Sequence, residues 1–242
     1  MGRVTTRGYY DRRTGGVLRA RRYSVYPPNL LGMLAGSPEI SIMVHGMRND
    51  SAGAASKVSI ASERLAYLGY VHPVIGFSYD SDVVGAHLRR GHVRALGVAR
   101  AIAEKNGFHL AAFLEDFARS HGITIRLLGH SLGSEVIVSA VRHLRKGGHA
   151  PPIRSVHLFA ASATRAEMAS ARHMLNEAVS DVIKNYYHEG DEELARGHDS
   201  GLNPYPAGLC GTGFDDEKFQ NIPVAPENHR FASYAAVLES FP

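Results

Sequence analysis

Between residues 40 and 188, short apolar runs alternate with longer stretches whose apolar residues recur at helical spacing. The predicted strands are 40–44, 71–79, 123–128, 156–160 and 181–188. The predicted helices are 54–68, 92–120, 132–144 and 166–179. Because a helix follows nearly every strand, the pattern predicts an α/β protein with a mostly parallel central sheet and helices on both of its faces.

The segments outside this alternation are predicted to be less regular. Residues 8–10 and 17–26 are predicted to form antiparallel N-terminal edge strands around a glycine turn. Residues 196–228 are rich in Gly, Pro, Asn and Asp, which favours an irregular loop that covers a site. A short amphipathic helix is predicted at 231–241. The length favours a single domain over residues 1–242.

Glycines and prolines mark expected breaks between these elements. Residues 27–39 contain three prolines and two glycines and are predicted to be a loop. Asn106 and Gly107 interrupt the long helical stretch, which predicts either two helices or one kinked helix. Gly147 and Gly148 are expected to end the helix that begins near residue 132.

The positive charge of the chain is concentrated at its N-terminus. Residues 1–22 contain seven arginines and one acidic residue, whereas the whole chain carries a formal net charge of +4. Two interpretations stay open: an arm that docks on an acidic partner, a nucleic acid or an anionic surface, or a solvated hairpin whose arginines keep a sheet edge from pairing. Because the excess of positive charge is confined to 1–22, a nucleic-acid partner is not expected.

Composition limits the remaining classes. Apolar residues make up 44% of the chain, which indicates a globular protein. A single cysteine, Cys210, excludes an intramolecular disulfide framework. No apolar run approaches the roughly 18 residues of a membrane span, and the first residues lack the apolar core of a secretory signal. A cytoplasmic location is therefore expected, and the oligomeric state is left open.

One pentapeptide carries the strongest indication of chemistry. Gly129-His130-Ser131-Leu132-Gly133 has the form G-x-S-x-G and lies between the predicted strand at 123–128 and the following helix. A serine at the tip of such a tight strand-to-helix turn is held with its hydroxyl exposed above the sheet. The alternative is an ordinary structural turn whose serine caps the helix.

Other polar residues follow the ends of predicted strands in the same way. They are the His45-Gly46 loop, Asp80 and Asp191. Because the carboxyl ends of parallel strands meet at one edge of the sheet, where ligands bind, we expect these residues and Ser131 to gather there. A serine nucleophile needs a base, and the base must be one of the fourteen histidines.

Four motifs make the chain resemble the α/β-hydrolase superfamily, in particular a small lipase/esterase-like branch. They are VHG-x-x-N-D at 44–50, GFSYDSD at 76–82, GHSLG at 129–133 and NYY-x-x-x-D-x-x-L at 185–194. The resemblance covers roughly residues 20–242. It implies an α/β-hydrolase fold and a nucleophile, acid and base in the chain order Ser, Asp, His.

The resemblance implies that His229, just before the last helix, is the base. His188 and His198 are less suitable rivals, and His130 is expected to be structural. The resemblance also places the acid at Asp191, with Asp199, Glu192, Glu193 and Asp215 as rivals. Asp191 has an alternative role as the N-cap of a helix at 192–196.

The resemblance further implies an oxyanion hole made by the backbone amides of Met47 and Leu132. The remaining candidates lie near these loops and either line the site or support loop structure; they are His45, Gly46, Arg48, Asn49 and Asp80. Asp80 is also an alternative acid. Candidate pocket walls from the 196–228 loop are Leu202, Tyr205, Leu209 and Phe214, which could equally pack the loop onto the body.

The predicted activity is that of a serine esterase or lipase-like hydrolase acting on a small-molecule or lipid ester, or on a thioester. Acyl transfer would use the same groups. The sequence has neither a phosphate-binding glycine loop nor a metal-binding His or Cys pattern, so neither a cofactor nor a metal is expected. The alternative is a catalytically silent module of the same fold that binds a partner through its arginine-rich N-terminus.

Overall fold

The computed structural model describes residues 1–87, 92–144 and 153–241. Its strands are β1 Arg3–Thr5, β2 Ser24–Tyr26, β3 Glu39–Val44, β4 Val74–Ser78, β5 Thr124–His130, β6 Ile153–Phe159, β7 Val179–Tyr187 and β8 Phe219–Pro223. Its helices are α1 Leu30–Leu34, α2 Ser51–Tyr67, α3 His92–His121, α4 Gly133–Leu144, α5 Arg165–Ala178, α6 Glu192–Asp199, α7 Ala207–Cys210 and α8 Phe231–Ala236.

These strands form one sheet in the order β2-β1-β4-β3-β5-β6-β7-β8. All neighbours pair in parallel except β2 and β1, which pair antiparallel at the edge. The predicted fold class is therefore confirmed: a mostly parallel sheet in an α/β protein, with antiparallel strands at its N-terminal edge.

Two apolar clusters lie on the two faces of the sheet. Along β3, Ile42 and Val44 belong to one cluster and Met43 to the other, as the alternation of a strand requires. The first cluster contains buried residues of α3, α4 and α5, and the second contains buried residues of α2 and α8. Helices thus cover both faces, and every site-bearing strand is buried on both sides.

The carboxyl ends of the strands are where the polar residues of the sequence motifs lie. The chain leaves β3 at Val44, β5 at His130 and β7 at Tyr187, and a helix begins within seven residues of each of these points. Asp50 caps the first of these helices, α2, by accepting a hydrogen bond from the Gly53 amide at 2.7 Å.

The N-terminal edge differs in detail from the prediction. The inner edge strand is β1 at Arg3–Thr5, while Tyr10 and Val17 form only an isolated antiparallel bridge. Three residues with no apolar period carry little sequence signal, yet β1 pairs with both β2 and β4, and its central Val4 is fully buried. The arginine-rich segment thus begins inside the sheet.

One other expectation about helices was wrong, because the loop predicted at 27–39 contains the short helix α1. Of the two alternatives for the stretch that contains Asn106 and Gly107, the structure has the single helix, α3. A Cβ atom at Gly107 would lie 2.2 Å from the Ser139 hydroxyl, so this glycine allows α3 and α4 to pack closely. The expected helix end at Gly147 and Gly148 lies outside the described residues.

The segment 196–228 is more regular than predicted. It contains the end of α6, the short helix α7 and the strand β8, which extends the sheet beside β7. A Cβ atom at Gly208 in α7 would lie 2.2 Å from the backbone nitrogen of Ala161, so α7 lies directly on the backbone that follows β6. Backbone contacts of this kind leave no periodic side-chain pattern in the sequence.

Candidate active site

Ser131 lies in a strained turn between β5 and α4. Its φ of 51° is in the left-handed region, which a serine rarely adopts. The turn is held from both sides, because the Ser131 amide donates to the Phe159 carbonyl at 2.9 Å and the Ser134 hydroxyl donates to the Ser131 carbonyl at 2.7 Å. The chain thus fixes a conformation that projects the serine side chain from the sheet edge.

The glycines of the pentapeptide are there for steric reasons. A Cβ atom at Gly133 would lie 2.2 Å from the Val44 carbonyl oxygen, and one at Gly129 would lie 2.8 Å from the Ile137 side chain. A Cβ atom at Gly46 would lie 3.0 Å from the Ser131 Cβ. The serine turn and the loop after β3 are therefore in backbone contact, which brings Ser131 close to Met47.

His229 connects Ser131 to Asp191. Its Nε2 lies 3.0 Å from the Ser131 hydroxyl oxygen. Its Nδ1 lies 2.8 Å and 3.0 Å from the two carboxylate oxygens of Asp191. Because a carboxylate can only accept, Nδ1 carries a proton that it donates to Asp191, and Nε2 is the nitrogen that faces the serine hydroxyl.

Asp191 is bound by three donors, although its side chain is fully buried. Besides His229, the Tyr234 hydroxyl donates to Oδ2 at 2.8 Å and the Leu194 amide donates to Oδ1 at 3.1 Å. Burial raises the pKa of this carboxyl, but the hydrogen bonds and charge of His229, with those of Tyr234 and Leu194, outweigh burial and hold it below its ordinary value. Asp191 also caps α6, so both sequence interpretations of this residue describe real contacts.

The amides of Met47 and Leu132 are free to bind a ligand. Within the described part of the chain, neither amide donates a hydrogen bond to a protein acceptor. Both residues line the same cleft as Ser131 and His229. Two unpaired amide donors in the cleft that holds the serine hydroxyl are groups of the kind that stabilise an oxyanion.

The loop that contains Met47 is braced by residues on either side of it. The Asn49 side-chain amide donates to the carbonyls of Gly46 and Met47 at 3.0 Å and 2.9 Å. Arg7, from the N-terminal segment, donates to the carbonyls of Asn49 and Asp50, both at 2.9 Å. No local sequence motif marks Arg7, because its role depends on β1 lying beside β4.

Two predicted site residues lie behind the loop instead of in the cleft. His45 stacks on Tyr79 with ring centroids 4.6 Å apart and accepts the Tyr79 amide at 3.2 Å. Burial and the Arg7 charge lower its pKa to about 3, so the ring is neutral. Asp80 accepts the Gly8 amide at 2.8 Å and the Tyr10 amide at 3.4 Å. Both residues support loop structure.

The cleft itself is small, with a cavity volume of about 110 Å³. Arg48, which lines the cleft, donates a hydrogen bond to Glu193 at 2.8 Å. This ion pair connects the β3–α2 loop to α6. The lining side chains are Met47, Arg48, Leu96, His130, Ser131, Leu132, Ser162, Glu193, Leu194, Asn203 and His229, together with Gly197. Leu96, Ser162 and Asn203 were not anticipated, since no local motif marks them.

The four suggested pocket walls from 196–228 do not line the cleft. Leu209 and Phe214 pack into the two apolar clusters, and Tyr205 is exposed against His198. Leu202 contributes only its carbonyl, to Arg100 at 3.4 Å. Leu209 and Phe214 therefore attach the segment to the body of the protein, and within this segment Gly197 and Asn203 reach the site.

The rival acids and bases make other contacts, and of those described here Glu193 also lines the cleft. His198 accepts the Tyr205 amide at 3.3 Å, and His188 lies against Gly190. Glu193 pairs with Arg48 and Arg196. Among residues 1–87, 92–144 and 153–241, there is no group of three or more His, Cys, Asp or Glu side chains suited to a metal ion. In the same ranges no helix has the length and apolar character that crossing a membrane requires.

Comparison with known proteins gives matches in structure alone. No family model matches the chain, and no curated protein matches it in sequence. TT1662 from Thermus thermophilus superposes with a TM-score of 0.52 at 14% identity, over 84% of this chain and 87% of that one. The lin2722 product of Listeria innocua matches with a TM-score of 0.47 at 12% identity, over 84% of this chain and 95% of that one.

The chain therefore has a mostly parallel α/β fold that is similar to the fold of TT1662. This agrees, at the level of the fold, with the resemblance inferred from the sequence motifs.

Proposed function

We propose that the protein is a serine hydrolase that cleaves a carboxylic ester or thioester through Ser131, His229 and Asp191. The observation that carries this proposal is the continuous hydrogen-bonded line from the Ser131 hydroxyl through both nitrogens of His229 to the buried Asp191 carboxylate. Such a line activates a serine whose own pKa is far too high for attack at neutral pH.

In the first half-reaction, the Ser131 oxygen bonds to the substrate carbonyl carbon while its proton moves to His229 Nε2. The carbonyl π electrons move to its oxygen, and the amides of Met47 and Leu132 donate to the resulting oxyanion. The tetrahedral intermediate then collapses, the bond to the leaving oxygen or sulfur breaks, and His229 returns the proton to the leaving group. The products of this half are an alcohol or thiol and an acyl-serine.

In the second half-reaction, water takes the place of the leaving group. His229 Nε2 accepts a proton from the water as its oxygen attacks the acyl carbon, and the same two amides bind the oxyanion again. Collapse releases the acid and returns the proton to Ser131. Asp191 keeps its charge throughout, because its lowered pKa favours the carboxylate, which stabilises the imidazolium formed in each half.

The substrate class rests on analogy with the fold together with the character of the cleft. Isolated Ser-His-Asp sites on this fold most often act on esters. The cleft is lined by the apolar side chains of Leu96, Leu132 and Leu194 and also by the polar residues Ser162 and Asn203. Transfer of the acyl group to an acceptor other than water would use the same residues.

The alternative of a catalytically silent binding module has less support. Its motivation was the arginine-rich N-terminus, but Arg7 braces the β3–α2 loop and Arg12 and Arg22 form ion pairs with acidic residues. β1 also pairs with β4, so removal of residues 1–22 would remove part of the sheet. These arginines therefore have structural roles that require no partner.

Labelling with a fluorophosphonate probe tests the proposal. The wild type should be labelled at Ser131, and Ser131→Ala should be neither labelled nor active on nitrophenyl esters. Ser56→Ala is a matched control, because Ser56 is exposed on α2 and should behave as wild type. Absence of labelling on a folded wild type, or labelling at another serine, would contradict the proposed chemistry.

A further inference from the structure

His130, the residue before the serine, lies between two loops of the proposed site. Its side chain is buried, and its Nε2 lies 2.8 Å from the backbone carbonyl oxygen of His229. Its ring packs against the rings of His229, Phe231 and Tyr234, with centroids 5.2, 5.6 and 6.4 Å away. On its other side, Nδ1 lies 3.2 Å from where a Cβ atom of Gly46 would be.

These contacts fix the tautomer of His130. A carbonyl oxygen can only accept, so Nε2 must carry the proton that is donated to His229. Nδ1 is buried and has no hydrogen-bond partner within the described residues. A second proton at Nδ1 would be a buried, unpaired donor on a charged ring, which is costly. Burial and the nearby His229 accordingly lower the His130 pKa to about 3, and the ring stays neutral.

The segment that carries His229 has few other attachments. Val224 still pairs with the Tyr187 carbonyl. Beyond it, within the described chain, the bond from His130 is the one backbone hydrogen bond that ties residues 225–229 to the rest of the protein. The His229 ring is therefore held at Nδ1 by Asp191 and, through its backbone, by His130.

We propose that His130 is a positioning residue, which holds His229 in line between Ser131 and Asp191 by donating from Nε2 to the His229 carbonyl. This inference rests on the proposed function, since positioning matters only if His229 is the base. It assigns to the second residue of the pentapeptide a role in catalysis beyond packing, which is exerted through His229.

Two substitutions test separately the hydrogen-bond donor and the ring of His130. His130→Gln keeps a side-chain N–H at a similar reach, whereas His130→Phe keeps a ring and removes the donor. The kcat and KM for nitrophenyl acetate should be measured per active site, as titrated with the fluorophosphonate. We expect kcat of the Phe variant to fall on the order of 10- to 100-fold with KM nearly unchanged, since a small misplacement of a catalytic group is costly. The Gln variant should recover most of kcat.

The pH profile provides a readout that loss of stability alone would not move. A nearby carboxylate favours the protonated form of a histidine, and a His229 ring less firmly held against Asp191 loses part of that interaction. The acid limb of kcat/KM should therefore move to lower pH in the Phe variant and stay in place in the Gln variant. His157→Phe is the control, because His157 is a fully buried histidine elsewhere in the sheet; it should lower stability and leave kcat and the limb unchanged.

Three results would overturn the inference: equal kcat per titrated site in the wild type and the Phe variant, equal impairment in the Gln and Phe variants, or an unmoved acid limb. If the Phe variant does not fold, His130→Asn, whose amide is too short to reach, takes its place. If the wild type shows neither labelling nor turnover, the proposed function fails. NMR titration of His229 in Ser131→Ala, with and without the Phe substitution, then still decides whether His130 positions it, since an unchanged pKa would refute positioning.

Discussion

At the scale of single residues, Asp191 joins two tasks in one buried carboxylate. It caps α6 through the Leu194 amide and accepts from both His229 and the Tyr234 hydroxyl. Three donors on one fully buried side chain leave the carboxylate little freedom to turn, and they keep its pKa low. The orientation of His229 therefore depends on the start of a helix as well as on the loop that carries the histidine.

Substituting Asp191→Asn should separate these tasks. Asparagine can still cap α6 through its carbonyl oxygen, but the amide favours the opposite tautomer of His229, with the proton at Nε2. We expect kcat/KM to fall on the order of 10⁴-fold, while the melting temperature changes little. Steady-state kinetics beside thermal unfolding would check this, and a loss below tenfold would argue against a role for Asp191.

Arg7 provides a second prediction at this scale. Its guanidinium donates to the Ser78 hydroxyl at 2.7 Å as well as to the carbonyls of Asn49 and Asp50. Arg7→Gln should destabilise the protein by about 1.5–3 kcal/mol, as expected for lost charge-assisted hydrogen bonds. It should also lower kcat, because the Met47 loop loses its brace. Arg19→Gln removes the same charge from an exposed position and should do neither; similar denaturation curves for the two variants would contradict this account.

At the scale of elements, the site depends on the close approach of the α4 start to the end of β3. Gly133 is the contact point, since its missing side chain leaves room for the carbonyls of Val44 and His45. Neither neighbour can yield easily, because both contacts are made by backbone.

Gly133→Ala should therefore destabilise the protein by about 3 kcal/mol or more and displace Leu132 from the cleft. Gly97→Ala is the matched control: Gly97 is an exposed residue of α3, with nothing within 4 Å of its missing Cβ. That substitution should stabilise α3 by about 0.5–1 kcal/mol. Chemical denaturation of both variants tests the contrast, and equal effects would show that the close approach is not what requires glycine.

The elements that could be predicted from sequence are those whose own side chains make the pattern. β5 and α4 alternate apolar residues at strand and helix spacing, and β3 is buried at every position. β1 and β8 could not be predicted, because each exists through hydrogen bonds to a neighbouring strand that is distant in sequence. Ser131 could be named because it lies in a recognisable strand-to-helix motif, and Asp191 and His229 because the resemblance places an acid and a base at those positions. Ser162 and Asn203, in contrast, reach the cleft through tertiary packing alone.

At the scale of the whole molecule, buried ionisable side chains determine how the fold responds to acid. Burial lowers the pKa of His45, His130 and His157 to about 3. In the unfolded protein these histidines bind protons near pH 6.5, whereas in the folded protein they do not. Each therefore lowers the free energy of unfolding as the pH falls from about 6.5 toward 3. Glu135 has the opposite effect. Burial raises its pKa to about 7, so its contribution to the free energy of unfolding is lost as the pH rises from about 4.5 to 7.

The free energy of unfolding should therefore fall with decreasing pH below about 6.5. Each histidine contributes a slope of about 1.4 kcal/mol per pH unit, and Glu135 offsets one of the three between about pH 4.5 and 7. Denaturant titrations at pH 7, 6 and 5 measure the slope of the free energy of unfolding against pH. His157→Gln should reduce this slope by the contribution of one histidine. A flat profile, or a variant with an unchanged slope, would mean that these histidines are not held neutral in the fold.

Trapping the acyl-serine tests the central claim most directly. Protein quenched with acid during turnover of nitrophenyl acetate should carry one acetyl group per chain, and peptide mapping should place it on Ser131. His229→Gln should accumulate no acetyl group on the same time scale. An active protein that never carries the acetyl group, or carries it on a residue other than Ser131, would contradict the account.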